Sequence, residues 1–553
     1  MTALLAFVAV GHLAWLAADG AMTGYDERAF VEHFVKYRDL WSDGTLAQRF
    51  GWLGFSSYPA WPFLSGMMTT AAAGDSLFAL RLNSVLFHLL WILAAFGVAR
   101  RLDRPLAGLV AAAVVALSPS VTLLARHYGS FLPHAAMSTV AVCVLLRTRG
   151  ANGWGGALLG GLACAWAFLS ERGTPVLFLA GPLMFVFLWR WLGWQVGAAS
   201  EKSGVDRVGL VRDIAVFAVV VALLAGPYLI GFIKTNLGQT AFMYTQSVVE
   251  ARSWTYYLAR IRGGLITHAF FPLALVGIGY GIFRRDRRLL LPLLWAAIPV
   301  AVLSFAASKD MVYALSLTTP LAVLAGMGTA YLPRGRWRAP VVLFMLIFAC
   351  LTFVRAGNPD GDLAKRFAHI RFFTLHDPLH TPSDPPKQGL EYNKLIAAVQ
   401  ALQPGPGDIW AVTGRSLAPD DPRTRFNLGN DIRLTMQLRR VPGRYLIAYE
   451  NLFPDRLSAR GIDQHLVLVP DALTPSGSAA ARLARPAFDP REHRRDEGKV
   501  VEQWRDLQLQ RIHVTGLGTV RLILWRALPN PLPPAVPASA AVQSDPTAGE
   551  TAP

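Results

Sequence analysis

Charge is scarce in this sequence: Asp, Glu, Lys and Arg make up only 16% of 553 residues, where soluble proteins carry about 25%. Cysteine is scarcer still. Its three copies (Cys143, Cys164 and Cys350) all sit inside apolar runs, which excludes a disulfide framework and a cysteine-based zinc site. There is no Walker motif, no dinucleotide fingerprint and no internal repeat, so P-loop, dinucleotide-binding and solenoid architectures are excluded as well. Acids are outnumbered, 36 against 53 Lys and Arg, giving a net charge of +17 and a pI near 10.1. Read alone, that balance points to nucleic acid. What is abundant points elsewhere. Apolar residues make up 53% of the chain, with 30 Phe and 16 Trp, and the mean hydropathy is +0.36. A water-soluble fold of this length could not hide that much apolar surface, so a bilayer is implied.

A spanning helix needs about 20 mostly apolar residues. Stretches of that kind recur as Met1–Ala18, Leu82–Ala99, Pro105–Ala125, His127–Leu146, Gly150–Ser170 and Gly173–Trp189. Ile214–Ile233, Gly264–Phe283, Leu289–Ser308, Met311–Pro333 and Ala339–Val354 follow, making about eleven spans. The first lacks a basic leader and is read as a retained anchor rather than a cleaved signal peptide. A further charge-free run, Phe50–Gly74, is broken by Gly51, Gly54, Pro59, Pro62 and Gly66. It is expected to be interfacial or re-entrant, because such residues interrupt the helical hydrogen bonds a bilayer demands. With eleven spans, one side collects Arg100, Arg101, Arg104, Arg147, Arg149, Arg190, Arg212, Arg284, Arg285, Arg287 and Arg288. The positive-inside rule makes that side cytoplasmic. The N-terminus then faces the cytoplasm of a plasma (inner) membrane, and everything after residue 355 lies outside. Residues 1–355 hold 29 Lys and Arg against 15 acids, and residues 356–553 hold 24 against 21. The excess is therefore chiefly a topology signal, and no nucleic-acid partner is expected.

After Val354 the hydropathy collapses. A helical pattern, Glu391–Leu402, precedes the strand-like Asp408–Thr413. Asp431–Arg440 is again helix-like, and Tyr445–Tyr449 and His465–Val469 read as strands. Leu507–Val514 and Val520–Trp525 flank Gly516–Gly518 as a closing hairpin. From Pro529 onward Pro and Ala dominate, the composition of a disordered tail. The expected architecture is a polytopic α-helical membrane protein of about 11 spans (residues 1–355, with residues 19–81 as first outer loop). A C-terminal extracytoplasmic α/β domain (356–528) and a tail (529–553) complete it.

The first outer loop carries the chemistry signal. It reads Gly24-Tyr25-Asp26-Glu27-Arg28-Ala29-Phe30, with two adjacent carboxylates just past the first span. Phe30, Phe34 and Tyr37 recur at helical spacing, which suggests an amphipathic helix lying on the membrane surface. On periodicity alone, Asp26 and Glu27 would simply start that helix, since acids are favoured at an N-terminus. Other marked residues lie at outer span ends. The loop after the seventh span contains Arg252-Ser253-Trp254-Thr255-Tyr256-Tyr257, and His268 sits near the outer end of the eighth. Interfacial aromatics need no function, yet such a cluster can also stack a sugar and hold its phosphate. A lone histidine such as His268 is either structural or a proton carrier or metal ligand, and His127 and His134 have the same two readings.

Taken in order, these motifs resemble the GT-C class of membrane glycosyltransferases, in particular the family of protein O-mannosyltransferases and aminoarabinose (lipid A) transferases. The Asp-Glu pair is followed by Tyr58-Pro59-Ala60-Trp61-Pro62, similar to that family's Tyr-Pro segment. Arg81-Leu82-Asn83-Ser84 opens the next span, and Ser308-Lys309-Asp310-Met311-Val312-Tyr313 precedes Pro320 and Gly326. The likeness covers residues 1–355. It departs at Ala125–His134, which lacks the usual second acid, at Ser170-Glu171-Arg172-Gly173, where Thr-Lys-Gly is usual, and at Asp310.

The resemblance implies inverting transfer of a sugar from a polyprenyl-phosphate donor to an acceptor hydroxyl or phosphate on a glycolipid, cell-wall glycan or protein. In this reading Asp26 is the general base, and Glu27 orients the acceptor or binds a divalent cation; the metal question stays open. Fixed cations must meet the charge of a lipid-phosphate leaving group. Arg81, Arg252 and Lys309 lead, followed by Arg126 and Arg172, with headgroup snorkelling as the alternative for each. Tyr58, Tyr256, Tyr257, His268 and Tyr313 are the expected substrate contacts. Two other readings compete. A transporter or flippase would place ionisable groups at mid-bilayer, whereas here they cluster at span ends. A non-catalytic assembly protein would act through its outer domain.

Overall fold

The computed structural model describes residues 1–18, 24–45, 48–49, 59–171, 174–192, 207–246, 257, 261, 265–267, 269–305, 311–332, 338–357, 388–406, 408–414, 436–442, 444–449, 463–469, 508–517 and 520–528. It divides into two units, Met1–Tyr392 with Leu434–Arg440, and Asn393–Arg433 with Val441–Pro553.

The first unit is helical. Its helices are α1 (Thr2–Ala18), α2 (Gly24–Asp43), α3 (Ala60–Ala73), α4 (Leu77–Leu102), α5 (Pro105–Leu117), α6 (Pro119–Leu124) and α7 (Phe131–Arg147). After them come α8 (Gly153–Phe168), α9 (Thr174–Trp191), α10 (Arg207–Gln246), α11 (Phe271–Phe283), α12 (Leu290–Phe305), α13 (Thr318–Tyr331) and α14 (Arg338–Gly357). Among the described residues, five stretches are long and apolar enough to cross a membrane, and six shorter apolar helices accompany them. Each overlaps one of the hydrophobic runs of the sequence. Spanning length itself is met only by the five. Within Phe50–Gly74, the described part is α3. Its Pro62, Phe63, Ser65 and Gly66 are buried against protein.

Burial ranks the helices. The span ending at Tyr331 is 89% buried, while the one beginning at Arg207 is 22% buried. α5 and α13 thus form the centre, and α10 turns Val208, Val211, Val219 and Leu223 outward, the face that lipid would cover. Without a hydrophobic drive between helices in lipid, close packing of small residues holds such a centre together. A Cβ on Gly326 of α13 would strike the Ala107 carbonyl oxygen of α5. One on Gly328 would strike the Leu273 carbonyl oxygen of α11. Glycine is required at both positions because backbone, not a yielding side chain, fills the space.

The second unit contains α15 (Gln388–Ala401, which begins before the division) and five strands. They are β1 (Ile409–Gly414), β2 (Arg444–Tyr449), β3 (Asp463–Val469), β4 (Gln508–Leu517) and β5 (Val520–Leu528). The sheet order is β2-β1-β3-β5-β4. β1 pairs parallel with β2 and antiparallel with β3, β3 pairs parallel with β5, and β4–β5 is the antiparallel hairpin. Leu466, Val467 and Leu468 are consecutive and all buried, so the central strand is covered on both faces. Trp410 is wholly buried and donates its indole N–H to the Pro442 carbonyl at 3.0 Å. Of the helix expected at Asp431–Arg440, residues 431–435 lie outside the described residues, as does the tail from 529.

Replacing Gly328 with Val should force α11 and α13 apart, a loss on the order of 1–3 kcal/mol for overpacking of this kind. It is to be read as a lowered thermal midpoint of the purified protein in detergent. Gly279, around which an added Cβ meets nothing, should tolerate Ala without such a drop.

Candidate functional site

The helix that carries Asp26 and Glu27 is amphipathic, as its spacing predicts, but its apolar face is not laid on lipid. Phe30, Phe34, Val35 and Tyr37 are buried in one cluster with Phe63 of α3, Leu77 and Leu80 of α4, Tyr128 and Leu438. Protein covers what the sequence suggested a membrane would cover. The reason is the supply of apolar partners from four other segments, two of them aromatic (Phe63 and Tyr128), which pack a 20-residue helix more specifically than acyl chains do.

α4 is started by Ser76, whose hydroxyl accepts from the Ala79 N–H at 3.1 Å, a regular N-cap. Gly74, with φ of +84°, ends α3 just before it. That start places Arg81 early in α4, wholly buried, opposite Glu27, which is 3% exposed. The Arg81 Nε–H and Nη2–H donate to Glu27 Oε1 and Oε2, each at 2.8 Å. This two-pronged geometry is the strongest carboxylate contact an arginine offers. The Tyr128 backbone N–H donates to Glu27 Oε1 at 2.9 Å. Burial pushes the Glu27 carboxyl upward, and the Arg81 charge and hydrogen bonds outweigh it, so it sits below the usual carboxylate value of 4.5.

The turn between α6 and α7 is the second wall. Its His127 carbonyl accepts from Ser84 Oγ–H at 2.6 Å, and Tyr128 Oη–H donates to the Pro62 carbonyl at 2.9 Å. Ser130 Oγ–H donates to the buried carboxylate of Glu171. The Ala125–His134 stretch has no acid of its own, yet Glu171 brings one to it from the end of α8. Sequence reasoning noted Glu171 only as a departure from a motif, and no spacing rule would have paired it with Ser130. Burial drives the His127 imidazole down to about 4, Glu27 opposing and Arg81 and Arg126 assisting. This ring is neutral at neutral pH.

Arg126 is 2% exposed. Its guanidinium carbon lies 5.0 Å from the centre of the Trp15 ring, and that of Arg81 lies 5.6 Å from the same ring. One indole of α1 therefore meets two arginines, within the reach of a cation–π contact. Beneath it His88 Nε2–H donates to the Val115 carbonyl at 3.2 Å. His88 Nδ1 must then accept from His12 Nε2–H at 3.0 Å, which fixes both tautomers. Trp15 and the His12–His88 pair were not found from the sequence, because an aromatic or a histidine in an apolar run looks like core.

The structure thus brings together Glu27, Arg81 and Arg126. Asp26 belongs to α2, and Tyr313 to a 3₁₀ turn at Met311–Leu317, but the side chains of both lie outside the described residues. Tyr58, Arg172, Arg252, Tyr256, His268 and Lys309 lie outside them altogether. Tyr257 is wholly buried in the apolar core with Leu265 and Ile266. Among the described residues no three acids, histidines or cysteines are grouped to hold a metal ion. The Glu27 carboxylate already receives three donors.

No protein-family model matches the chain, and no curated protein matches it in sequence. Solved structures do match in fold. ArnT from Cupriavidus metallidurans bound to undecaprenyl phosphate superposes with a TM-score of 0.50 at 16% identity, covering 80% of this chain and 85% of that one. The fold is GT-C. The apo state of the same ArnT gives a TM-score of 0.49 at 16% identity over 80% and 84%. The Archaeoglobus fulgidus oligosaccharyltransferase in its apo form gives 0.38 at 14% identity over 69% and 61%. Within the GT-C fold, the described site lies where the first helix, the following loop helix and the α6–α7 turn converge.

Two outcomes are expected. Arg81→Met strands a buried carboxylate and should cost about 3–5 kcal/mol, measured by thermal unfolding in detergent. Adding Glu27→Leu should recover much of that loss. The second concerns pH. Unfolded His127 takes up a proton near 6.5, and folded His127 only near 4, so stability falls as pH drops through that window. His127→Gln should flatten this part of the curve of Tm against pH, and an unchanged slope would refute the assignment.

Proposed function

We propose that the chain is a membrane glycosyltransferase that moves a sugar from a polyprenyl-phosphate donor to an acceptor hydroxyl or phosphate at the outer face of the plasma membrane. The acceptor is a glycolipid, a cell-wall glycan or a protein, and transfer inverts the anomeric centre. The observation that carries the reading is the GT-C fold shared with an ArnT bound to undecaprenyl phosphate. Here Glu27, adjacent to Asp26, is locked to Arg81.

Direct displacement at an anomeric carbon needs a base for the incoming hydroxyl, and Asp26 fills that role. Glu27 acts as a positioning residue, its carboxylate fixed by Arg81 and the Tyr128 N–H so that the start of α2 cannot turn. The leaving group is a lipid phosphate, whose charge grows as the bond to the sugar breaks. Arg126, with Arg81, Arg252, Lys309 and Arg172, supplies preorganised cations for it. Tyr58, Tyr256, His268 and Tyr313 are proposed to contact the sugar or acceptor, whereas Tyr257 is a core residue.

In this arrangement the N-terminus is cytoplasmic and the C-terminal unit extracytoplasmic. Eleven spans follow from reading the six shorter apolar helices as spans with their flanking turns. Removing a general base typically costs about 10²–10⁴-fold in rate. Asp26→Asn, reconstituted in lipid with radiolabelled polyprenyl-phosphate sugars, should therefore lose turnover by that order while keeping its melting temperature. Full turnover in this variant would overturn the assignment of the base.

A further inference from the structure

Asp103 follows α4 immediately, 22 residues beyond Arg81 in sequence, so the two lie about 33 Å apart along the helix at 1.5 Å per residue. That distance matches the roughly 30 Å hydrocarbon thickness of a bilayer. At the Asp103 end the tips of α4, α11 and α13 line an open cleft of about 400 Å³. It belongs to the side that collects the loop arginines and has no part in the site around Glu27.

The polar groups of this cavity are unevenly served. Asp286 accepts from the Arg288 guanidinium at 2.7 Å, from the Arg288 backbone N–H at 3.0 Å and from Tyr331 Oη–H at 3.0 Å. Arg288 also donates to the Leu102 carbonyl at 2.9 Å, and approaches Asp103 Oδ1 only to 4.0 Å. Asp103 Oδ2 is buried and has no hydrogen-bond partner in the structure. Burial holds its carboxyl above the ordinary range, against the pull of Arg288, Arg104 and Arg338. Across the cavity the Arg284 guanidinium donates to the Tyr280 hydroxyl from Nε at 3.0 Å and from Nη2 at 2.7 Å, leaving Nη1 for an anion, and Tyr280 and Tyr331 stand with ring centres 4.5 Å apart. Arg104 completes the rim.

A carboxylate with one unpartnered oxygen, lining the same cleft as two tyrosine rings, calls for a compact cation with N–H donors. Exposed Arg284 and Arg104 call for an anion. A cavity at the helix ends, at headgroup depth, is where basic pockets between helices take lipid headgroups. We infer that this cleft binds the headgroup of a phosphoethanolamine lipid, with its ammonium at the Asp103 carboxylate and its phosphate on Arg284 and Arg104. A purely anionic headgroup satisfies the arginines but leaves Asp103 unmet and faces two carboxylates.

The test is native mass spectrometry of the purified full chain with equal amounts of chain-matched phosphatidylethanolamine and phosphatidylglycerol. The wild type should retain the ethanolamine lipid in preference. Asp103→Asn should reduce that adduct about fivefold, the worth of one ionic contact at a membrane surface, without reducing the glycerol lipid. Arg284→Gln, at an exposed position, should weaken both lipids and serves if Asp103→Asn does not fold. Equal retention of the two lipids by the wild type would overturn the inference. So would an Arg284→Gln variant that binds both as the wild type does. None of these readouts depends on transferase activity, so the outcome is separable from the proposed function.

Discussion

The pairing of Glu27 with Arg81 is the constraint on which the rest of the described site depends. Two opposite charges at almost no exposure are tolerable only when their geometry is good and their remaining valences are met. The two-pronged contact and the Tyr128 N–H meet that condition. In doing so they fix three segments against each other: the start of α2, the start of α4 and the α6–α7 turn. Ser84 to the His127 carbonyl and Tyr128 to the Pro62 carbonyl repeat the link with neutral groups. Arg126 is then held against Trp15 by a turn that has little freedom left.

A second anchor holds the other half of α2. The buried Arg38 donates to the carbonyls of Leu438 at 3.0 Å and Gln437 at 3.1 Å, and Asp75 pairs with Arg440 at 2.6 Å. Leu438 itself is wholly buried among the aromatics of α2. The loop helix is therefore clamped by charge at both ends and by apolar packing between. Its position does not rely on lipid.

Much of the helical unit was legible because the bilayer reduces sequence to a few strong rules. Apolar length marked each apolar helix, five of spanning length among the described residues, and of Phe50–Gly74, which its Gly and Pro set apart, the described part is α3. The adjacent acids of the first loop singled out α2, and Arg81 emerged by likeness to a family motif. Period-two patterns located β1, β2 and β3 and the final hairpin to within a few residues. What could not be read were encounters between distant segments. Ser130 with Glu171, Trp15 with two arginines and His12 with His88 leave no mark in local spacing. The partner of the apolar face of α2 was likewise invisible, since periodicity shows that a face is buried but not by what.

The strap at Leu438 has a consequence for how the molecule comes into being. Arg38 and Leu438 are 400 residues apart, and a ribosome adds about 5–20 residues per second. For roughly 20–80 s of synthesis, the loop helix therefore exists with only its Arg81 end secured. The finishing clasp arrives from a part of the chain made after every apolar helix. A chain cut before Gln437 would keep its apolar helices yet never close the second clasp, so synthesis through Arg440 is itself a checkpoint on the geometry of the first loop.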